Sequence, residues 1–398
     1  MVLPKAVRVS LKIAFVTPYY SPRDIRRGSG TFYYMSRELE RQGCQLAYFG
    51  PVDFKEPAIV RPLRAWAKRV QKGRYITYLD PAVSLSLGEA LADQLRGLEL
   101  DLVLTNDPGV AAGLDVPFPV VYYSDVMLPA SSDGSVLRGL VAYRQVPLWA
   151  LRRYQKTMRR CLERAALAIF PAQWQLEQAR GYGVDPEKLH LVSFGANIPD
   201  PGSEVAAHRD ISLNAQQRKV RLLFVGTDWE RKGGDIAVAT VGLLRKAGVD
   251  ANLDVVGKTL MDMPPYIHFH GKLHKDNPKE WSQMDKLYRA SDVFILPSRS
   301  EGSVIAPREA AAYGLPTLAY RIEGLLTSVV NGQSGVLLEP GTGPEGFTQV
   351  ILEWLKDPIS YQHLCQGARA FFESDAEWTG KVQNLINILE SHLRCNTG

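Results

Sequence analysis

Cysteine is scarce in this chain. Cys44, Cys161, Cys365 and Cys395 are the only four in 398 residues, and no two stand in a Cys-x-x-Cys pair. That scatter supports neither a zinc site nor a disulfide framework, so reduced structural thiols are expected. Long apolar runs are missing too: no stretch approaches the ~20 residues needed to span a bilayer. Met1 to Lys12 lacks the apolar core of a signal peptide. A cytoplasmic protein is the expectation. No internal repeat, low-complexity tract or recognised nucleic-acid module occurs, so nucleic acid is not an expected partner.

The chain is 45% hydrophobic and 22% charged, enough for two domains of roughly 200 residues each. The net charge of +5 is unevenly placed. To residue 205 there are 26 Lys+Arg against 20 Asp+Glu, and beyond it 21 against 22. All the basic excess lies in the first half. Summed charge acts through association, so an acidic partner or membrane surface is expected for the N-terminal domain. Two stretches concentrate it: Arg61, Arg64, Lys68, Arg69, Lys72 and Arg74 around Trp66, and Arg152, Arg153, Lys156, Arg159, Arg160 and Arg164. Either reads as a solvated helix face, or as peripheral contact with an anionic membrane or a phosphate-bearing acceptor.

Strand-like runs alternate with helical patterns throughout. The first half opens with Leu11 to Val16, then a Pro/Gly-rich loop through Gly28-Ser29-Gly30-Thr31, then a helix from Phe32 to Gln42. Further strands read at Gln45 to Phe49, Leu100 to Thr105, Val120 to Tyr123, Leu167 to Pro171 and Leu189 to Phe194. After a polar, irregular stretch from Pro199 to Gln217 the pattern restarts, with strands at Val220 to Val225, Asn252 to Val256, Ile267 to His270, Val293 to Leu296 and Thr317 to Tyr320. Such alternation predicts an α/β protein of two tandem Rossmann-like, doubly wound parallel-sheet domains, with a ligand cleft between them. The expected division is residues 1–205 and 206–375, followed by a C-terminal helix, 376–398, crossing back to the first domain.

The most informative segment is Ser300-Glu301-Gly302-Ser303-Val304-Ile305-Ala306-Pro307-Arg308-Glu309. It follows an apolar strand and leads into an Ala-rich helix, so backbone N–H groups at the helix start face a loop with two carboxylates. A fully helical eight-residue step spans about 12 Å, too far for both to act on one atom. They are expected to grip two parts of one elongated ligand. The second domain's opening, Phe224-Val225-Gly226-Thr227-Asp228-Trp229-Glu230-Arg231-Lys232-Gly233-Gly234, sets cations at a helix start, a site suited to diphosphate.

Phe-Val-Gly, then Arg-Lys-Gly-Gly, then Pro297-Ser298 before Glu301-Gly302, Glu309-Ala310, Gly314-Leu315-Pro316 and Val330-Asn331-Gly332 together resemble the retaining, two-domain (GT-B) glycosyltransferases of sequence family 4. The Gly28 loop, Phe194-Gly195-Ala196-Asn197 and the Trp378 region are similar to the same family. The resemblance implies a retaining hexosyltransferase of glycan biosynthesis, moving a sugar from a nucleotide-diphosphate donor to an acceptor hydroxyl without metal or other cofactor. It implies that Glu309 holds the donor ribose and Glu301 the donor sugar, with the Gly302, Ser303 and Val304 N–H groups nearby. Arg231 and Lys232 would hold the diphosphate, Lys232 stabilising the leaving group, and Gly28, Ser29 and Gly30 would face the donor from the first domain. Three positions depart from the family pattern. Thr227 replaces an arginine, Ser303-Val304 replaces an aromatic and a second glycine, and Asp125 stands where a histidine is frequent. A carboxylate at Asp125, or less readily Asp107, could orient the acceptor hydroxyl or take its proton, or could cap the segment that follows. Gly28-Ser29-Gly30 lacks the third glycine of a dinucleotide fingerprint, since Tyr33 follows. The rival readings are a nucleotide-sugar epimerase on the same plan and a catalytically silent nucleotide-sugar-binding protein.

Overall fold

The computed structural model describes residues 10–71, 73–130, 145–207, 211 and 219–396. Lys72 of the first basic stretch and part of the polar stretch 199–217 lie outside the described residues. The chain divides into two compact units, Met1–Val192 with Val382–Gly398, and Ser193–Lys381. The division falls ahead of that polar stretch.

Each unit is built on a six-stranded sheet whose strand pairs are all parallel. The first contains β1 (Lys12–Val16), β2 (Gln45–Phe49), β3 (Leu102–Thr105), β4 (Val120–Tyr123), β5 (Leu167–Phe170) and β6 (Leu189–Leu191), in the order β2-β1-β3-β4-β5-β6. Described helices between them are α1 (Thr31–Arg41), α2 (Val60–Gln71), α3 (Pro81–Leu95), α4 (Pro108–Gly113), α5 (Leu148–Arg164) and α6 (Gln173–Arg180). The second sheet contains β7 (Val220–Val225), β8 (Ala251–Val256), β9 (Ile267–Phe269), β10 (Val293–Leu296), β11 (Thr317–Tyr320) and β12 (Gly335–Leu338), ordered β12-β11-β10-β7-β8-β9. Its helices are α7 (Glu204–Ala207), α8 (Trp229–Lys232), α9 (Gly234–Lys246), α10 (Pro278–Ala290), α11 (Ala306–Ala312), α12 (Gly343–Lys356) and α13 (Pro358–Phe371). The last helix, α14 (Trp378–Asn396), starts in the second unit, and from Val382 onward its residues group with the first.

Central strands are buried on both faces, and their sequences are accordingly continuous apolar runs. Val293, Phe294, Ile295 and Leu296 of β10 are all 0% exposed. Burying one such side chain contributes about 1.5–3 kcal/mol. Each unit has its own apolar core, one running from Ala14 to Leu189 and the other from Ala196 to Ala376. The two strand orders differ in a way that places the sites. In the second sheet the order reverses between β7 and β10, and in the first between β1 and β3. Ligands of open α/β sheets bind beyond the carboxyl ends of the strands at such a switch point.

The Phe194–Asn197 segment is held within the second unit by the start of α14. Ala196 N–H donates to Ala376 O at 2.7 Å, and the Trp378 indole Nε1–H donates to Asn197 Oδ1 at 3.0 Å. The indole also lies over Gly195, where an added Cβ would be 2.5 Å from its ring. Two motifs far apart in sequence therefore form one contact.

Candidate functional site

The loops after β7 and β10 meet at the switch point of the second sheet. Asp228 caps the short helix α8 and pairs with Arg231 at 2.9 Å, which turns Arg231 and Lys232 to the end of that helix. Gly233 then takes φ +74°, and a Cβ there would collide with the main-chain oxygen of Pro297 at the end of β10. Only glycine combines that backbone with so close an approach. Arg299 N–H completes the junction by donating to Arg231 O at 2.7 Å.

This junction brings Glu301 onto both cations. Lys232 Nζ lies 2.9 Å from Oε1 and Arg231 Nη1 lies 2.7 Å from Oε2. Ser298 Oγ donates a further bond to Oε1 at 2.9 Å, and Arg231 Nη1 also reaches Ser300 O at 2.8 Å. Burial pushes the Glu301 carboxyl up, but Lys232 and Arg231 more than offset it and hold it below its ordinary value. Glu301 is therefore ionised and accepts hydrogen bonds only. The side chain of Lys232 runs directly over Gly226, where an added Cβ would overlap its Cδ.

Glu309 has a different set of partners. It sits in the first turn of α11 and is 4% exposed. Its partners are Lys275, whose Nζ pairs with Oε1, and Tyr288, whose hydroxyl donates to Oε2 at 3.1 Å. Tyr288 stacks on Tyr313 with centroids 4.8 Å apart. Burial first, and then the Glu309 carboxylate, push the Tyr288 hydroxyl well up, so it is a proton donor. Arg308, the residue before Glu309, is 1% exposed and is anchored to Thr327 O and to Asp375, which fixes the helix start. Between the two glutamates, Gly302 and Ser303 are partly exposed, whereas Val304 is buried and its N–H donates to Gly324 O at 3.4 Å. The Val304 N–H expected to face a sugar is therefore already engaged.

In the first unit the Gly28-Ser29-Gly30 turn carries three successive positive φ values, 52°, 56° and 85°, and leads directly into α1. Its neighbour is Tyr20, whose hydroxyl accepts from Asn106 Nδ2 at 2.9 Å. The loops after β1 and β3 thus meet at this sheet's own switch point. Burial pushes the Tyr20 hydroxyl up to about 12, helped by Asp125 and Asp107 and opposed by Asn106. Asp125 is exposed just beyond β4, and its main-chain oxygen accepts from Gln175 Nε2 at 2.7 Å. Asp107 is 6% exposed and caps α4 by accepting from Val110 N–H at 3.0 Å. Burial raises its carboxyl to about 7.

Sequence reasoning missed Lys275 and Tyr288, and it names Ser298 within the Pro297-Ser298 motif without giving it a site role. Lys275 carries no local signal, because it meets Glu309 only through the fold. Among the described residues no group of three or more His, Cys, Asp or Glu is placed to hold a metal ion, and no helix is long and apolar enough to cross a membrane.

Residues 219–357 match the family model described as glycosyl transferases group 1, and residues 29–198 match that of glycosyltransferase family 4. Among curated proteins, the D-inositol 3-phosphate glycosyltransferase of Corynebacterium glutamicum is 28% identical over 207 residues, 48% of this chain and 49% of that protein. The protein of the same name from Segniliparus rotundus is 30% identical over 188 residues, 44% and 41% of the two chains. The chain spans about half the length of the curated relatives it matches. In architecture it is similar to sucrose-phosphate synthase from Thermosynechococcus elongatus, with TM-score 0.69 at 16% identity over 97% of this chain and all of that one. It is also similar to Anabaena Alr3699/HepE in complex with UDP-glucose, with TM-score 0.61 at 14% identity over 96% of this chain and all of that one. Two parallel sheets with flanking helices, each in a unit with its own core, are the GT-B fold of these neighbours. The two family matches follow one another along the chain and together take in more than half of the sequence, so the chain belongs to the group 1, family 4 glycosyltransferases.

Proposed function

We propose that this protein transfers a sugar from a nucleotide-diphosphate donor to an acceptor hydroxyl with retention of anomeric configuration. One observation carries the reading. Arg231 and Lys232 stand at the switch point of the second sheet, turned toward one side by the α8–Gly233 junction and balanced by the ionised Glu301. Two fixed cations beside a helix start suit a diphosphate, and charge developing on the leaving group is stabilised by donors already in place. In this reading they supply the positive charge and no metal is called on. Glu309, paired with Lys275, takes the ribose diol, whose two hydroxyls match an acceptor-only carboxylate. Glu301 takes the donor sugar. The Gly28–Gly30 turn, beside the Tyr20–Asn106 contact, binds the donor, and Asp125 orients the acceptor hydroxyl or receives its proton.

The acceptor belongs to an anionic class, free or presented at an anionic membrane on the cytoplasmic face. Exposed Arg61, Arg64, Lys68 and Arg69 on α2 and Arg152, Lys156 and Arg160 on α5 support this. So does Trp66, which is 46% exposed and packs at a tilt against Trp149 at the start of α5, with centroids 4.7 Å apart. The named activity of the curated relatives, on D-inositol 3-phosphate, is likewise transfer to a phosphate-bearing polyol.

Incubating the purified chain with a panel of nucleotide sugars tests the proposal. Transfer that requires an acceptor supports it, and nuclear magnetic resonance of the product reads the anomeric configuration. Conversion of the donor alone would mean epimerisation, and no binding of any nucleotide sugar would remove both enzyme readings.

A further inference from the structure

Both oxygens of the buried Glu309 are bound by one stretch of chain. Tyr288 lies within α10, and Lys275 lies just before that helix, whose N-terminus is capped by Asn277. Lys275 Nζ makes a second bond, to the main-chain oxygen of Asn197 at 2.8 Å. Asn197 is itself 0% exposed and receives the Trp378 indole N–H. One ammonium therefore joins a buried carboxylate to a buried and internally braced piece of main chain.

The physical consequence is specific. Lys275 and Tyr288 together engage both oxygens of a carboxylate that is 4% exposed. The lysine pairs with that carboxylate, and its second bond, to a backbone oxygen, restrains where the ammonium sits. Lysine suits the task because its ammonium has three donors and no acceptor.

We propose that Lys275 is a positioning residue of the nucleotide-sugar site, anchoring the Glu309 carboxylate to the main chain at Asn197. This rests on the reading that Glu309 binds the donor ribose. The test compares wild type with Lys275→Met, Lys275→Arg, Glu309→Ala and the Lys275→Met/Glu309→Ala double variant. Affinity for UDP, GDP and ADP is measured by calorimetry, folding by thermal melts, and KM and kcat on the accepted nucleotide sugar. Lys275→Met is expected to weaken the preferred nucleotide about tenfold and raise KM in parallel, with kcat within about twofold of wild type. Lys275→Arg, which can make both bonds, should recover most of the loss. The double variant should bind no more weakly than Glu309→Ala, since Lys275 acts through that carboxylate. Should Lys275→Met fail to fold, Lys275→Gln is read in its place. Wild-type affinity in the lysine variant beside weak binding in Glu309→Ala overturns the role of Lys275 and leaves the donor site standing. Failure of arginine to improve on methionine also overturns it. Wild-type affinity in Glu309→Ala overturns the donor-site reading itself.

Discussion

Gly226 and Lys232 are in contact across the β7–α8 turn, and a Cβ at position 226 would overlap the lysine Cδ. The glycine of Phe224-Val225-Gly226 is thus the floor over which Lys232 reaches Glu301 Oε1 at 2.9 Å. Gly226→Ala should move Lys232 off that path while leaving the sheet intact, since Gly226 follows the last strand residue. We expect nucleoside-diphosphate affinity to fall about tenfold, equal to about 1.4 kcal/mol, with a melting temperature within a few degrees of wild type. Calorimetry beside a thermal melt checks both halves, and undiminished affinity would remove Lys232 from the diphosphate site.

Glu301 balances two cations whose side chains are 13% and 23% exposed, while its own is 8% exposed. Removing one partner of a buried pair costs roughly 3–5 kcal/mol. Partial exposure of Lys232 and Arg231 puts Glu301→Gln at about 3 kcal/mol or less. An anion supplied from outside should restore the balance, so pyrophosphate or a nucleoside diphosphate should raise the variant's melting temperature more than the wild type's. The pH dependence has a definite sign. The folded carboxyl is held below its ordinary value of 4.5, so its contribution is present above that pH and is lost as pH falls through the folded value. The gap in stability between wild type and Glu301→Gln should therefore narrow on acidification below about 4.5. A gap that stays constant would show that Glu301 is not the charge partner.

Lys68 and Arg69 are exposed on α2 beside Trp66. Each basic residue near an anionic bilayer contributes about 1 kcal/mol, so Lys68→Gln with Arg69→Gln should reduce partitioning onto phosphatidylglycerol-containing vesicles about thirtyfold. Sedimentation at two salt concentrations measures it. Equal partitioning of variant and wild type, or no salt dependence, would argue against a membrane-facing α2.

The strands that carry the fold were legible because burial on both faces leaves its mark as unbroken apolar runs, as in Val293 to Leu296. The last strand, Gly335–Leu338, has no clear mark in the sequence, because it is short, lies at the sheet edge and comes soon after the Val330-Asn331-Gly332 motif. Strand order was out of reach as well, since the runs at β7 and β10 do not say that they are neighbours. The site divides in the same way. Glu301, Lys232, Arg231 and Glu309 stood out through local spacing, and the meeting of the first three required the left-handed turn at Gly233 against Pro297. Lys275 gave no sign, because its relation to Glu309 is set by packing between α10 and α11 and by no periodicity. Asn197 and Trp378 were each noticed separately, and only the fold joins them by a hydrogen bond.

Asp107 supplies a prediction with the opposite sign from that of Glu301. From sequence it was a lesser candidate to act on the acceptor, and in the structure it caps α4 from a buried position. Burial raises its carboxyl from 3.8 to about 7, while bonds from the Val110 and Gly109 N–H groups pull in the other direction. Between those two values the folded chain keeps a proton that the unfolded chain has released, so this group makes the protein less stable as pH rises from about 4 to about 7. At 1.36 kcal/mol per unit the cost is on the order of a few kcal/mol once pH exceeds 7. An asparagine in its place would be as good a cap and would carry no charge to bury. Asp107→Asn should thus melt several degrees above wild type at pH 8 and close to it at pH 4.5, with the difference growing through the interval. Differential scanning calorimetry across that range decides it. A difference independent of pH would place the Asp107 carboxyl at an ordinary value and return the residue to those available for acid–base chemistry on the acceptor.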